Sequence, residues 1–144
     1  MTNYPLPGYH FNVEWGGTRL GFEEVSGLNI EYQVIEYREG NSPEYSAIKM
    51  PGIPKYSNIT LKRGIVAGDN EFFDWVKTIR LNQLERRDLV ISLLNESHEP
   101  AMVWKAKSAF PVRIEGPVLK ATGNEVAIET LEVAHEGLTI ESGG

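Results

Sequence analysis

The chain contains no cysteine. Disulfides, thiolate nucleophiles and cysteine-ligated zinc or iron–sulfur centres are therefore excluded together. The absence also suits synthesis in a reducing compartment, the cytoplasm. Histidine is scarce: His10, His98 and His135 stand far apart, with no metal-ligand spacing. No apolar run approaches the roughly 18 residues that span a bilayer, so no membrane anchoring is expected. Residues 1–11 lack a basic stretch followed by an apolar one, so no secretory signal is expected either. Positive charge is in deficit, with 14 Lys and Arg against 20 Asp and Glu and a net charge of −6. Such a chain has no electrostatic footprint for nucleic acid. The acidity is uneven, because residues 118–144 hold five Glu and one Lys. That end reads as a solvated acidic surface, or as a repulsive wall or docking face for a basic partner.

Catalytic patterns are missing as well. There is no phosphate-cradling glycine loop, no G-x-G-x-x-G, no G-x-S-x-G elbow and no H-E-x-x-H. Glu23-Glu24 and Glu129 with Glu132 are pairs of the kind any acidic chain acquires by chance. Glycosidic chemistry needs two carboxylates at a fixed separation across a cleft. No enzymatic activity, cofactor or metal is expected.

What is present is β-patterning over one domain, residues 1–144, with 41% apolar and 24% charged residues. Phe11, Val13 and Trp15 alternate with polar residues, and Gly16-Gly17 marks a two-residue hairpin. Ile30, Tyr32 and Val34 form another alternating row, but Ile35 and Tyr37 fall in the opposite phase. That strand carries apolar side chains on both faces, so it is buried on both sides or covered by another subunit. Residues 40–57 read as a long extended loop with Pro43, Pro51, Gly52 and Pro54. Its Tyr45, Ile48, Met50, Ile53 and Tyr56 are too apolar for a disordered linker, so it packs on its own domain or on a neighbouring chain.

Ile59, Leu61 and Ile65 mark a further strand. Phe72, Trp75, Val76 and Ile79 then form one apolar stripe at helical spacing, predicting a helix over about 70–84 capped by Asp69 or Asn70. A nearly continuous apolar run, residues 89–94, suits a central strand. Met102, Trp104 and Ala106 alternate until Pro111 breaks or bends the strand. Near the end the apolar phase changes twice, from Val126 and Ile128 to Leu131 and Val133, then to Leu138 and Ile140. Each change requires a bulge, a break or a switch of buried face, and Gly137 is a natural site for the second. The expected architecture is mainly β: a sandwich or small barrel of about seven or eight strands with one flanking helix.

Several segments, read in order, carry a resemblance. They are Val25-Ser26-Gly27-Leu28, Ile35-Glu36-Tyr37-Arg38-Glu39-Gly40, Met50-Pro51-Gly52-Ile53 and Leu61-Lys62-Arg63-Gly64. Trp75 follows, then Arg86-Arg87-Asp88 leading into Val90-Ile91-Ser92-Leu93-Leu94, and Ala109-Phe110-Pro111. The last are Gly123-Asn124-Glu125-Val126-Ala127-Ile128-Glu129-Thr130-Leu131-Glu132 and His135-Glu136-Gly137-Leu138. Together they span residues 9–140 and resemble the tail tube family of contractile phages and related injection systems, which includes the ring-forming tube protein of type VI secretion. Phe110 stands where tryptophan is common in that family and Met50 where leucine is; both swaps keep apolar character.

The resemblance implies a structural subunit of an inner tube. Six copies would close a ring around a lumen, and rings would stack inside a sheath. Implied partners are further copies of the chain, a sheath protein, and baseplate and tube-capping proteins. Protein cargo or DNA would pass without sequence-specific binding. The chain would be cytoplasmic at synthesis, then part of a phage tail, an extracellular injection particle or a cell-anchored apparatus. Glu36, Tyr37, Arg38 and Glu39 would set inter-ring contacts, with Ile48, Met50, Pro51 and Ile53 as an apolar anchor. Glu125, Glu129 and Glu132 would line the lumen or meet Arg63, Arg86 or Arg87 of a neighbour. Two alternatives stand beside this reading. One is a baseplate-proximal tube adaptor. The other is a small-ligand β-barrel using Trp15, Trp75 and Trp104 as stacking faces.

Overall fold

A computed structural model describes residues 8, 11–15, 18–20, 22–37, 40, 48–65, 68, 71–80, 83–123 and 126–142. Among these residues, ten strands and one helix run in the order β1 (Phe11–Trp15), β2 (Thr18–Leu20), β3 (Glu24–Ser26), β4 (Ile30–Tyr37), β5 (Ile48–Tyr56), β6 (Ile59–Gly64), α1 (Glu71–Arg80), β7 (Arg87–Leu94), β8 (Pro100–Glu115), β9 (Ile128–Ala134) and β10 (Gly137–Ser142). The mainly β plan with a flanking helix therefore holds. The strand number exceeds the expected seven or eight because β3, of three residues, is too short to show a period and β5 falls in the stretch expected as a loop.

Strand β8, 16 residues long, belongs to two sheets. Its first half pairs with β7 on one edge and β10 on the other, and β7 leads on to β1 and β2. Its second half pairs with β9, which leads to β6 and β3. All of these pairings are antiparallel. The inner faces meet in one core, where Val13, Trp15, Leu89 and Ile91 of the first sheet join Ile59, Leu61, Leu131 and Val133 of the second. These are the alternate positions of their strands, as the pleat requires.

The passage between sheets has a definite mechanism. Ala106 and Ala109 are both buried, though three residues apart on a strand of period two. The phase is reset at Ser108, whose φ is 52°, in a bulge where Arg87 faces Ala109 but Leu89 faces Ala106. The Ser108 N–H donates to the Asp88 carboxylate at 2.9 Å, and Arg86 Nη1 reaches its carbonyl at 3.5 Å. Directly across, the edge that pairs first as β9 and then as β10 with β8 is interrupted at His135 and Glu136, and the Glu136 N–H donates to the Lys107 carbonyl at 2.8 Å. The register before and after that break is the same: Phe110 faces Ala134 and Lys107 faces Gly137. Adjacent strands thus change their buried face at one level. This accounts for the change of phase from Val133 to Leu138.

Helix α1 closes the core with Phe72 and Trp75, both fully buried. Their rings meet Trp15 at centroid distances of 5.4 and 5.0 Å. The helix ends at Arg80, short of the expected 84. Thr78 accounts for this: its carbonyl accepts the Gln83 N–H at 2.9 Å and its hydroxyl accepts the Glu85 N–H at 3.3 Å. Trp75 Nε1 then donates to the Glu85 carbonyl at 2.7 Å, turning the chain toward β7. Ile79, expected in the buried stripe, is 45% exposed because that last turn lies beyond the core. The expected caps Asp69 and Asn70 lie outside the described residues.

A second correction concerns residues 40–57. Ile48–Tyr56 is a nine-residue strand, not a loop, and pairs with β4 in a separate two-stranded ribbon. Pro51 and Pro54 hid it. Each strand of a two-stranded ribbon keeps one open edge, where a proline costs no ladder bond. At the ribbon's entry, Gly27 has φ 90°, and a Cβ there would lie 2.1 Å from the Asn58 carbonyl oxygen.

Three substitutions test the bend. Ser108→Gly should leave stability near wild type, whereas Ser108→Val should cost about 1–3 kcal/mol, since a β-branched residue resists positive φ. Asp88→Ala should cost about 1–3 kcal/mol by stranding the Ser108 N–H. Urea denaturation midpoints measure all three.

Candidate functional site

The ribbon of β4 and β5 stands out because its own chain leaves it uncovered. Every residue of Ile30–Tyr37 is exposed, and on β5 only Gly52 and Tyr56 are partly covered. Tyr32 is 57% exposed, Val34 61%, Tyr37 51%, Ile48 61% and Ile53 72%. Residues of this size stay exposed together mainly where something else is to cover them. The cross-strand pairs are Ile30 with Tyr56, Glu31 with Lys55, Tyr32 with Pro54, Val34 with Pro51, Ile35 with Met50, Glu36 with Lys49 and Tyr37 with Ile48. Between Tyr32 and Val34 the register shifts, and β5 carries the extra residue. Gly52 sits in that bulge because a Cβ there would lie 2.8 Å from the Gln33 carbonyl and 3.0 Å from the Ile35 side chain.

Six of the eight residues expected at an interface are thus gathered in one element: Glu36, Tyr37, Ile48, Met50, Pro51 and Ile53. Arg38 and Glu39 lie outside the described residues. Tyr32, Val34 and Ile35 were missing from the expected set, although the slip of apolar phase between Val34 and Ile35 was their signal.

The charged residues sort differently. Arg63 Nε donates to Glu129 Oε1 at 2.7 Å, and the side chains are only 5% and 17% exposed. The Arg63 guanidinium lies 4.2 Å from the centre of the Phe72 ring, so this pair staples α1 to the second sheet. Arg86 pairs with Glu136 at 3.3 Å and Arg87 with Glu85 at 3.2 Å. Arg87 also lies 5.2 and 5.0 Å from the Trp15 and Trp75 ring centres. All three arginines therefore meet carboxylates of their own chain. Glu132 accepts from Asn58 Nδ2 at 2.9 Å, and Glu125 lies outside the described residues.

Glu132 also belongs to a polar surface that sequence reasoning did not assemble. On the outward face of the second sheet, Thr60, Lys62, Arg113, Glu115, Thr130 and Glu132 line a shallow hollow of about 240 Å³. Glu24 pairs with Lys62 at 3.4 Å and Arg113 with Glu115 at 3.6 Å. The alternation of Thr60 and Lys62 with buried Ile59, Leu61 and Arg63 was the available sequence signal. Trp15 and Trp75 are buried core residues, while Trp104 borders an open groove of about 280 Å³. Among the described residues no three His, Asp or Glu side chains converge as a metal site requires, and no helix is long and apolar enough to cross a membrane.

Arg63→Ala should lower stability by about 2–3 kcal/mol, because it leaves the part-buried Glu129 without this partner and removes the cation from the Phe72 ring. Arg63→Lys should recover only part of the loss, since an ammonium cannot bond Glu129 while lying flat on Phe72. Thermal and urea unfolding check both.

The model of the T4-like virus tail tube protein gp19 family matches residues 7–139. A chain in the PVC sheath-tube complex of an extracellular contractile injection system, in its extended state, is 38% identical. The match covers 97% of this chain and 93% of that one, with a TM-score of 0.89. A chain in the tube-terminating cap structure of the anti-feeding prophage is 37% identical over 99% of this chain and 94% of that one, with a TM-score of 0.90. Hcp1 from Flavobacterium johnsoniae shares the fold at 15% identity, with a TM-score of 0.59 over 94% of this chain and 97% of its own. No curated protein sequence matches. A family match over residues 7–139, with relatives alike in sequence and fold along nearly the whole chain, shows that the protein belongs to the T4-like virus tail tube protein gp19 family, whose members are structural tube subunits.

Proposed function

We propose that this chain is the repeating subunit of the inner tube of a contractile injection particle, residues 1–144 acting as one tail-tube domain. Copies close into rings, six by the family resemblance, and the rings stack around a lumen. The observation that carries this reading is the β4–β5 ribbon, apolar on both faces and uncovered by its own chain. In an isolated molecule such a ribbon is marginally stable and prone to aggregate. In a polymer of identical subunits it becomes interior.

The outward face of the second sheet supports the same reading as a candidate lumen wall. Its cations Lys62 and Arg113 are paired with carboxylates of the chain, Glu132 is held by the Asn58 amide, and the remaining groups are threonine hydroxyls. A wall of that kind holds no strong field of one sign and offers little apolar surface, so cargo passes without binding. Relatives occur in a sheath-tube complex and in a tube-terminating cap structure, so a sheath and a capping protein are the partners proposed for this tube. The proposed setting is an extracellular, phage-tail-like particle.

The buried positions of Trp15 and Trp75 weigh against a small-ligand barrel, because the rings that would hold a ligand fill the core instead. A baseplate-proximal adaptor would share the fold but would not repeat.

Negative-stain electron microscopy of the concentrated protein tests the proposal. Tubes of many rings with a stained bore in end-on views support the repeating subunit. A single ring that never extends supports the adaptor. Monodisperse particles without a bore at the highest soluble concentration count against both. The double variant Met50→Asp with Ile53→Asp should remain folded and fail to stack, and tubes of normal length from it would remove this part of the ribbon from the interface.

A further inference from the structure

We propose that the turn after β8 is a plug: Val118, Leu119 and Lys120 of one copy fill the apolar groove beside β3 in the adjacent copy of the same chain; this rests on the tube reading. Val118 and Leu119 are 78% and 81% exposed, the two most exposed large apolar side chains among the described residues. The groove, about 280 Å³, is lined by Phe11, Val25, Leu28, Leu93 and Trp104, with Glu23 at its rim. Phe11, Val25, Leu28 and Trp104 pack on the margin of the core and are only partly covered. An apolar pair without cover thus matches an apolar groove without an occupant. The charges match too. Lys120 follows the apolar pair, and neither Lys120 nor Glu23 forms an ion pair with a described residue. Burial of Val118 and Leu119 supplies the affinity, and the flanking charges fix the register.

One chain does not make this contact with itself. Val118 borders a hollow of about 390 Å³ together with Glu24, Lys62 and Thr130, on the outward face of the second sheet. Val25 lies opposite the buried Leu61 and so faces the core. Strand β3 therefore stands between the turn and the groove of its own chain. Between copies the relation is reversed. The second sheet runs in the order β8, β9, β6, β3. Residues 110–115 of β8 pair with β9 on one edge and with no described strand on the other. The turn leaves that edge strand at Glu115, and the groove lies beside β3, the opposite edge strand. Copies set side by side, one edge to the opposite edge, bring each turn to the next groove. A contact between two different surfaces repeats head to tail until the ring closes.

The chain has no cysteine, so introduced thiols report the contact without interference. With Leu119→Cys and Leu28→Cys in one chain, mild oxidation of assembled protein should give a ladder of disulfide-linked dimers, trimers and larger species. The same two substitutions on separate, mixed chains should give dimers and no ladder. Normal tubes without intermolecular crosslinks overturn the plug and leave the tube reading standing. A crosslink within one chain, seen as a monomer of altered mobility, overturns the plug as well. Charge exchange is the second test. Lys120→Glu and Glu23→Lys should each raise the concentration needed for assembly about tenfold, and the two together should restore most of it. Both positions are exposed, so thermal melts should stay near wild type. Single variants without effect, or a double variant no better than the singles, overturn the matching of these surfaces. Normal tubes from Val118→Asp with Leu119→Asp do so too, and would mean that another protein fills the groove or that nothing does. Wild type forming neither ring nor tube would overturn the tube reading, and the plug with it.

Discussion

The fold depends on one strand serving two sheets. β8 can do so only by changing which of its faces is buried, and side-chain alternation forbids that in an unbroken strand. The bulge at Ser108 supplies the missing residue, and the break at His135 and Glu136 supplies the matching change on the neighbouring edge. Asp88 and the Lys107 carbonyl satisfy backbone groups at this level. Without that paired switch, either the row of Ala109 and Val133 or the row of Ala106 and Leu138 would face water.

The two sheets share one core, and α1 packs Phe72 and Trp75 into it against Trp15. The two cation sites reinforce the closure. Arg63 holds α1 to the second sheet through Glu129 and the Phe72 ring, and Arg87 lies against the tryptophans of the first sheet and the helix. The ribbon stands outside this core, with its large apolar residues exposed.

Much of the core was legible in the chain. Val13 with Trp15, Ile59 with Leu61, and Leu131 with Val133 alternate as the buried faces require, and Phe72 with Trp75 lies at helical spacing. The change of phase from Leu131 and Val133 to Leu138 revealed a switch of buried face, and the ladder does break just before Gly137. The site was legible in part. The opposite phases of Val34 and Ile35 announced a strand with two apolar faces. The other half of that ribbon read as a loop, because prolines usually mark irregular backbone and only the pairing of Pro51 and Pro54 with β4 shows where they are tolerated. The charged residues misled for a related reason. Arg63 and Glu129 are 66 positions apart in sequence, and only the register of β6 with β9 makes them partners.

The sequence by itself determined the local terms: which side chains alternate, where the helix runs, which chemistries the absence of cysteine removes, and to which family the ordered segments point. Those properties depend on near neighbours along the chain, where propensity and period act. The tertiary structure alone decided that Arg63 is buried, that Ile79 is not, that β8 joins two sheets, and that β5 pairs with β4 in a ribbon apart from the core. Each of these depends on what lies across a ladder or beyond the last turn of a helix. That is a matter of pairing between distant segments, which no single stretch of sequence carries.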